Sequence, residues 1–300
     1  MRKYLEKRIK NIKKIEKIRS EASNRSFFRI YKDNYTLIAM VYPEENRDEI
    51  SKVVKFRSIY DDNKINVPLI LDVIDNRIII QEDLGCLSLQ RLFLKSNINR
   101  KKGILNQICE ILLKLKQIST DNTKSILDTK RMLWEMDFFI KYFALNFCST
   151  SKDIEQIRNN LYSIVNKITN IDTFAHRDFH SRNMFYYKDK LFLVDFQDSL
   201  IGPEYYDLVS FAFDSYLDLK SIQKYLFDIL LKNKFEINFE KLYLTAIQRN
   251  IKALGTFGYQ IKIKNNLLFK KYVNRTINYV INNKLFPEFL YLSLFKKNKL

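Results

Sequence analysis

Glycine and proline are scarce. Five glycines and four prolines in 300 residues leave few long flexible linkers and exclude collagen-like or Gly/Pro-rich disordered chains. Three cysteines, Cys86, Cys109 and Cys148, show no C-x-x-C spacing, which excludes a disulfide framework and a cysteine zinc site. That usage fits a reducing cytoplasm. No apolar run approaches the ~18 residues of a membrane-spanning helix, so no stable membrane insertion is expected. The N-terminus is basic without an apolar run behind it and does not read as a signal peptide.

Hydrophobic residues make up 46% of the chain and aromatics 14%, which is ample for a core and argues against disorder. The length fits one large domain or two lobes sharing a cleft. The formal charge of +18 invites a nucleic-acid reading. Lysine, isoleucine and asparagine are all abundant, however, and no face interleaves arginine with aromatics as a nucleic-acid grip does. No nucleic-acid partner is expected, although anionic small molecules such as ATP would be attracted.

Residues 174–207 carry the chemistry. They contain His176-Arg177-Asp178, then Asn183 five residues after Asp178, an apolar strand, Asp195-Phe196-Gln197-Asp198, and Tyr206-Asp207-Leu208. A carboxylate, a carboxamide five residues on and a second carboxylate after a hairpin form a kinase-type signature. Asp178 suits the orientation of an attacking hydroxyl and acceptance of its proton. Asn183 and Asp195 offer hard oxygens for Mg²⁺. His176 buttresses the loop, and Asp207 caps free N–H groups or braces the catalytic loop. Arg182 places charge beside a phosphoryl group or faces solvent. His180 touches substrate or stabilises the loop, and Asp198 is a substrate acceptor or a structural acid.

Elsewhere the patterns predict a helix over 3–20, from Leu5, Ile9, Ile12, Ile15 and Ile18 at steps of three or four. It docks on its own domain or lies on a membrane surface. Strands are expected over 27–30, 35–42, 67–73 and 77–81, with a helix over 45–60 between them. Ser23, Asn24 and Arg25 form the turn that would cover nucleotide phosphates. Glu82 to Gly85 breaks the last strand. Helices then dominate, over 104–118, 132–147, 154–168, 221–233, 239–256, 266–283 and 286–296. Trp134 and Phe138 to Phe143 read as core. Gly202-Pro203 reads as a turn. The lobe boundary falls near residue 84, giving residues 1–84 and 85–300.

On these residues the chain resembles the aminoglycoside phosphotransferase and choline kinase superfamily, and within it the bacterial anomeric kinases of N-acetylmuramate and N-acetylglucosamine. Ser23 with Arg25 and Phe28-Arg29 resembles their phosphate-loop strand, and Glu82 to Gly85 their hinge. His176 to Asn183 resembles their catalytic loop, and Asp195 to Asp198 with Tyr206 to Leu208 their metal segment. Gln248-Arg249 with Lys252 resembles a late helix of that group. The resemblance implies an α+β, protein-kinase-like bilobal fold with a β-rich N-lobe and a helical C-lobe. It implies ATP bound through Ser23, Asn24, Arg25, Arg29, Glu82 and Leu84, and Mg²⁺ on Asn183 and Asp195. The substrate would be a small sugar or alcohol, with Gln197, His180 and Asp198 near it. The second strand, Thr36 to Val41, lacks the lysine that pairs nucleotide phosphates in protein kinases; Arg25 or Arg29 stands in, or the protein is a nucleotide-binding scaffold.

Overall fold

A computed structural model describes residues 1–18, 24–44, 48–148 and 153–295. They form two compact units, Met1–Leu92 with Asn183–Gln197, and Phe93–Arg182 with Asp198–Leu300. The chain therefore passes between units at 92/93, 182/183 and 197/198, where the sequence reading drew one boundary near residue 84.

The first unit begins with α1 (Arg2–Arg8) and a five-stranded antiparallel sheet. Its strands are β1 (Lys14–Ile18), β2 (Ser26–Tyr31), β3 (Thr36–Val41), β4 (Ile70–Ile74) and β5 (Ile78–Glu82), in the order β1-β2-β3-β5-β4. The expected long N-terminal helix is thus two elements. Asn11 at φ 55° lies between them, in the left-handed region asparagine tolerates. The Lys14–Ile18 segment then pairs with β2 from Lys14↔Tyr31 to Ile18↔Phe27. The free edge of β2 supplies backbone partners that isoleucine spacing does not register. Leu5, fully buried, packs with Ile15, Phe28, Ile30, Ala39, Val41, Ile78 and Ile80. Burying one such leucine stabilises by about 1.5–3 kcal/mol, so α1 is docked on its own sheet. Arg8 ties its end to Asp75 at 3.0 Å.

α2 (Asp48–Asp62) buries Ile50, Val53, Phe56, Ile59 and Tyr60 on one face. α3 (Leu89–Lys95) carries the chain onward. The hairpin of β7 (Met184–Tyr187) and β8 (Lys190–Leu193) belongs to this unit. It turns at Lys188 and Asp189, both at positive φ (47° and 59°), the conformation that matches strand twist in a two-residue hairpin loop.

The second unit is helical. It contains α4 (Ile98–Gln117), α5 (Thr129–Phe139) running through a π turn at Ile140–Ala144 into the short α6 (Leu145–Phe147), and α7 (Ile154–Asn166). α8 (Tyr206–Ala212), α9 (Lys220–Lys232), α10 (Phe239–Lys262) and α11 (Lys270–Ile281) follow. In place of the expected 286–296 helix stand Glu288–Leu290 and a π turn at Tyr291–Phe295. Gly202-Pro203 is strand, not turn: β6 (Ile171–Ala175) pairs with β9 (Leu200–Pro203), and Ile201 also bonds Ser125 and Leu127. α10 is the axis of the core, with Ile247, Ile251, Leu254 and Phe257 buried. A methyl group on Gly255 would press on the Phe139 backbone, and one on Gly258 would collide with the Tyr142 carbonyl. Glycine at both places lets α10 lie directly against α5 and its π turn. Among the described residues, no helix is long and apolar enough to cross a membrane.

Candidate active site

In the second unit, β6 ends at Ala175 and the chain turns sharply, with Arg177 at φ 76°. Asp207, in the first turn of α8, fixes that turn. Its Oδ2 accepts the His176 N–H at 2.6 Å and its Oδ1 the Arg177 N–H at 3.0 Å. Two bonds to one carboxylate set the direction in which Asp178 leaves the loop. Burial pushes the Asp207 carboxyl up to about 7, against those N–H bonds. Ser181 N–H donates to Asp214 at 2.8 Å, pinning the far side of the loop. His176 is fully buried.

Asp178 is partly exposed, with Lys252 Nζ of α10 3.9 Å from its Oδ1. Burial would raise its carboxyl, but Lys252, then His180, Arg177 and His176, hold it well below the ordinary carboxylate range. Burial pushes His180 down to about 3, against the pull of Asp178, so its imidazole is neutral near pH 7. Its ring packs edge-on to Tyr216 at 4.8 Å. The Arg182 guanidinium lies over Tyr216 at 4.8 Å and over Tyr272 at 6.0 Å, a cation–π seat. Asp198 is exposed.

Sequence reasoning gave neither Lys252 nor Glu135 a catalytic role. Glu135 is buried, accepts from Gln248 at 2.7 Å and lies 3.9 Å from Arg177. Arg249 is buried on Ser210 Oγ. The signal that could have found Lys252 is the run Gln248-Arg249-x-x-Lys252, which sets polar residues about one turn apart on the helix.

In the first unit, the hairpin sets Asn183 beside Asp195. Its last rung, Met184↔Leu193, is extended by Val194 N–H donating to Asn183 O at 2.9 Å. Asp195 then takes φ 65°, which turns its carboxylate out of the strand path, and Phe196 packs on Tyr60 at 5.4 Å. Asp195 Oδ1 accepts from Arg25 at 2.5 Å and from Gln197 at 2.9 Å, and Oδ2 takes neither bond. Gln197, expected near substrate from the sequence, is buried and donates to Asp195. Arg25 also lies over Phe27 and Tyr42. Burial disfavours its charge, yet Asp195 and Tyr42 keep the guanidinium firmly protonated.

A carboxylate oxygen of Asp195 that takes neither of these bonds, beside a carboxamide, fits Mg²⁺. That ion is usually held by one or two protein oxygens, with water and phosphate supplying the rest. Among the described residues there is no group of three or more His, Cys, Asp or Glu that could hold a metal.

The two arginines proposed to stand in for the missing lysine separate clearly. Arg29 forks onto Asp83, Nε to Oδ2 at 2.6 Å and Nη2 to Oδ1 at 3.0 Å, and also holds Gly85 O. Asp83 in turn accepts the Gly85 N–H, and Gly85 sits at φ 77°. Arg29 is thus committed to shaping the segment after β5. Glu82 ends that strand, its N–H on Leu69 O, and Leu84 is buried. Asn24 begins the described part of the turn before β2, and Ser23 lies outside the described residues.

Residues 14–224 match the model of the phosphotransferase enzyme family. An N-acetylmuramate/N-acetylglucosamine kinase of Neisseria meningitidis serogroup B is 21% identical over 281 residues, covering 87% of this chain and 83% of that protein. Among solved structures, a choline kinase from Streptococcus pneumoniae superposes with a TM-score of 0.67 at 12% identity, over 93% of this chain and 98% of that one. An ADP-bound aminoglycoside phosphotransferase gives 0.65 at 15% identity, over 92% and 95%. The last two share the protein-kinase-like fold, an N-terminal antiparallel sheet followed by a mainly helical remainder.

Proposed function

Because the chain belongs to the phosphotransferase enzyme family and is a phosphotransferase acting on a hydroxyl group, we propose that it is an ATP-dependent kinase of an N-acetylated amino sugar, transferring phosphate to the anomeric hydroxyl. The observation that carries this reading is the setting of Asp178. A carboxylate kept ionised beside Lys252 and Arg177 suits an uncharged or anionic acceptor. Choline and aminoglycosides are cations, and they would meet repulsion where their hydroxyl must approach. The kinship with an N-acetylmuramate/N-acetylglucosamine kinase over most of both chains supports the same acceptor.

In this reading Asp178 orients the acceptor hydroxyl and takes its proton late, as the bond to phosphorus forms. Asn183 and Asp195 would hold magnesium, which supplies charge neutralisation on the phosphates when bound. Asp207 keeps the loop in register, and Gln197 keeps the Asp195 carboxylate turned. Arg25, held beside the candidate magnesium ligand Asp195, takes the part of the absent strand lysine, whereas Arg29 is held on Asp83. The reaction class fits a place in cell-wall sugar recycling in the cytoplasm.

The deciding experiment is mass spectrometry of products from ATP with a panel of N-acetylated amino sugars, choline and aminoglycosides. A sugar phosphate labile to mild acid, as an anomeric phosphate is, would be expected. Phosphorylation of only the cationic acceptors would overturn the sugar reading, and nucleotide binding with no product would favour the scaffold. Arg25→Ala is expected to raise KM for ATP by about 10- to 100-fold, the loss of a charge-assisted contact worth roughly 1.5–3 kcal/mol. Arg29→Ala should instead lower thermal stability. Equal KM effects from both would refute the division of labour.

A further inference from the structure

Trp134 is the chain's one tryptophan, and it is 61% exposed. It is not a core residue, as its composition suggests, but the outer end of an aromatic shelf. Its ring lies 5.3 Å from Phe138, which lies 4.5 Å from Tyr142 and 5.7 Å from Tyr259, and Tyr142 meets Tyr259 edge-on at 5.1 Å. Trp134, Phe138 and Tyr142 recur every four residues along α5 and its π turn, so they form one ridge. Phe138, Tyr142 and Tyr259 are only partly buried.

The shelf shares α10 with the lysine that faces the candidate catalytic carboxylate. Lys252 and Tyr259 are seven residues apart on α10 and therefore share a face, about 10 Å apart along its axis. Lys252 reaches Asp178 at one end, and Tyr259 joins the shelf at the other. On α5, Glu135 next to Trp134 accepts from Gln248 of α10 and faces Arg177. The close approach at Gly255 and Gly258 holds the two helices side by side with the π turn at the contact. π turns recur at functional sites. An open aromatic surface running up to a polar, catalytic end has the chemistry of a carbohydrate subsite. The C–H face of a pyranose ring covers the rings, and its hydroxyl edge meets the charged groups.

We propose that the shelf of Trp134, Phe138, Tyr142 and Tyr259 is the acceptor subsite, stacking the apolar face of a pyranose so that one ring hydroxyl is directed to Asp178. The shelf rests on the kinase reading for its substrate but not for its detection. Trp134 is a built-in reporter: titration with N-acetylglucosamine or N-acetylmuramate, without nucleotide, should quench or shift its emission saturably. Trp134→Ala and Phe138→Ala should each raise acceptor KM about tenfold, leaving KM for ATP within twofold, and Trp134→Phe should restore much of the loss. Emission unchanged at sugar concentrations that saturate turnover would overturn the proposal, as would an unaltered acceptor KM in both alanine variants. An emission change with choline in place of the sugars would overturn the ligand class. A sugar-dependent change with no sugar phosphate formed would uphold the subsite while refuting the amino-sugar kinase reading.

Discussion

Asp178→Asn is expected to lower kcat by about 10²- to 10⁴-fold, the usual contribution of a positioned general base, with KM for ATP nearly unchanged. The asparagine keeps the size and can still accept a hydrogen bond from the acceptor hydroxyl, but it cannot take the proton. Lys252 separates this from a merely structural loss. Burial pulls the Asp178 carboxyl upward, and Lys252 is the largest force holding it down, followed by His180, Arg177 and His176. The native enzyme should therefore keep its kcat/KM as pH falls toward the ordinary carboxylate value of about 4. Lys252→Met removes the counter-charge, so burial acts with less opposition and the acid limb of the profile should move upward. Lys252→Arg should restore the native limb. A depressed carboxyl also stabilises the fold above its unfolded pKa and loses that contribution as pH falls through the folded value. Wild-type turnover in Asp178→Asn would remove the mechanism. An acid limb unmoved in Lys252→Met would leave Lys252 a packing residue.

The candidate catalytic and metal-holding residues could be proposed from the sequence because their chemistry fixes residue type and spacing within one short stretch. Asp178, Asn183 and Asp195 need no distant partner to be recognised. Lys252 and Glu135 were not legible in the same way. They come from α10 and α5, far from Asp178 in the chain, and only the packing of those helices brings them to Arg177 and Asp178. The strand at Lys14–Ile18 was misread because isoleucines three apart satisfy a helical template, while the edge of β2 decides the matter from outside the segment. Trp134 was misread because composition sends tryptophan inward, and its position on the outer side of α5 depends on which residues face α10. Most helices of the second unit were readable to within a few residues, since each carries its own apolar stripe.

Asp207→Ala should cost stability and activity together. The two N–H groups of His176 and Arg177 that it accepts would lose their acceptor where little water reaches, His176 being fully buried. Leaving a buried donor unsatisfied costs about 1–3 kcal/mol each, so a loss of about 3 kcal/mol and a fall of several degrees in the unfolding midpoint are expected. kcat should fall with it, because the turn that aims Asp178 is no longer fixed, whereas KM for ATP should change little. Asp207→Asn keeps one acceptor oxygen and should fall between the two. It also tests the charge. With its carboxyl up at about 7, Asp207 binds a proton more tightly in the fold than in the unfolded chain. That contribution is fully present below the ordinary carboxylate pKa and is lost as pH rises through about 7. Asparagine does not titrate, so the unfolding midpoint of Asp207→Asn relative to the native protein should rise between pH 4 and pH 7. A constant difference across that window would mean that the N–H bonds outweigh burial and keep Asp207 ionised throughout.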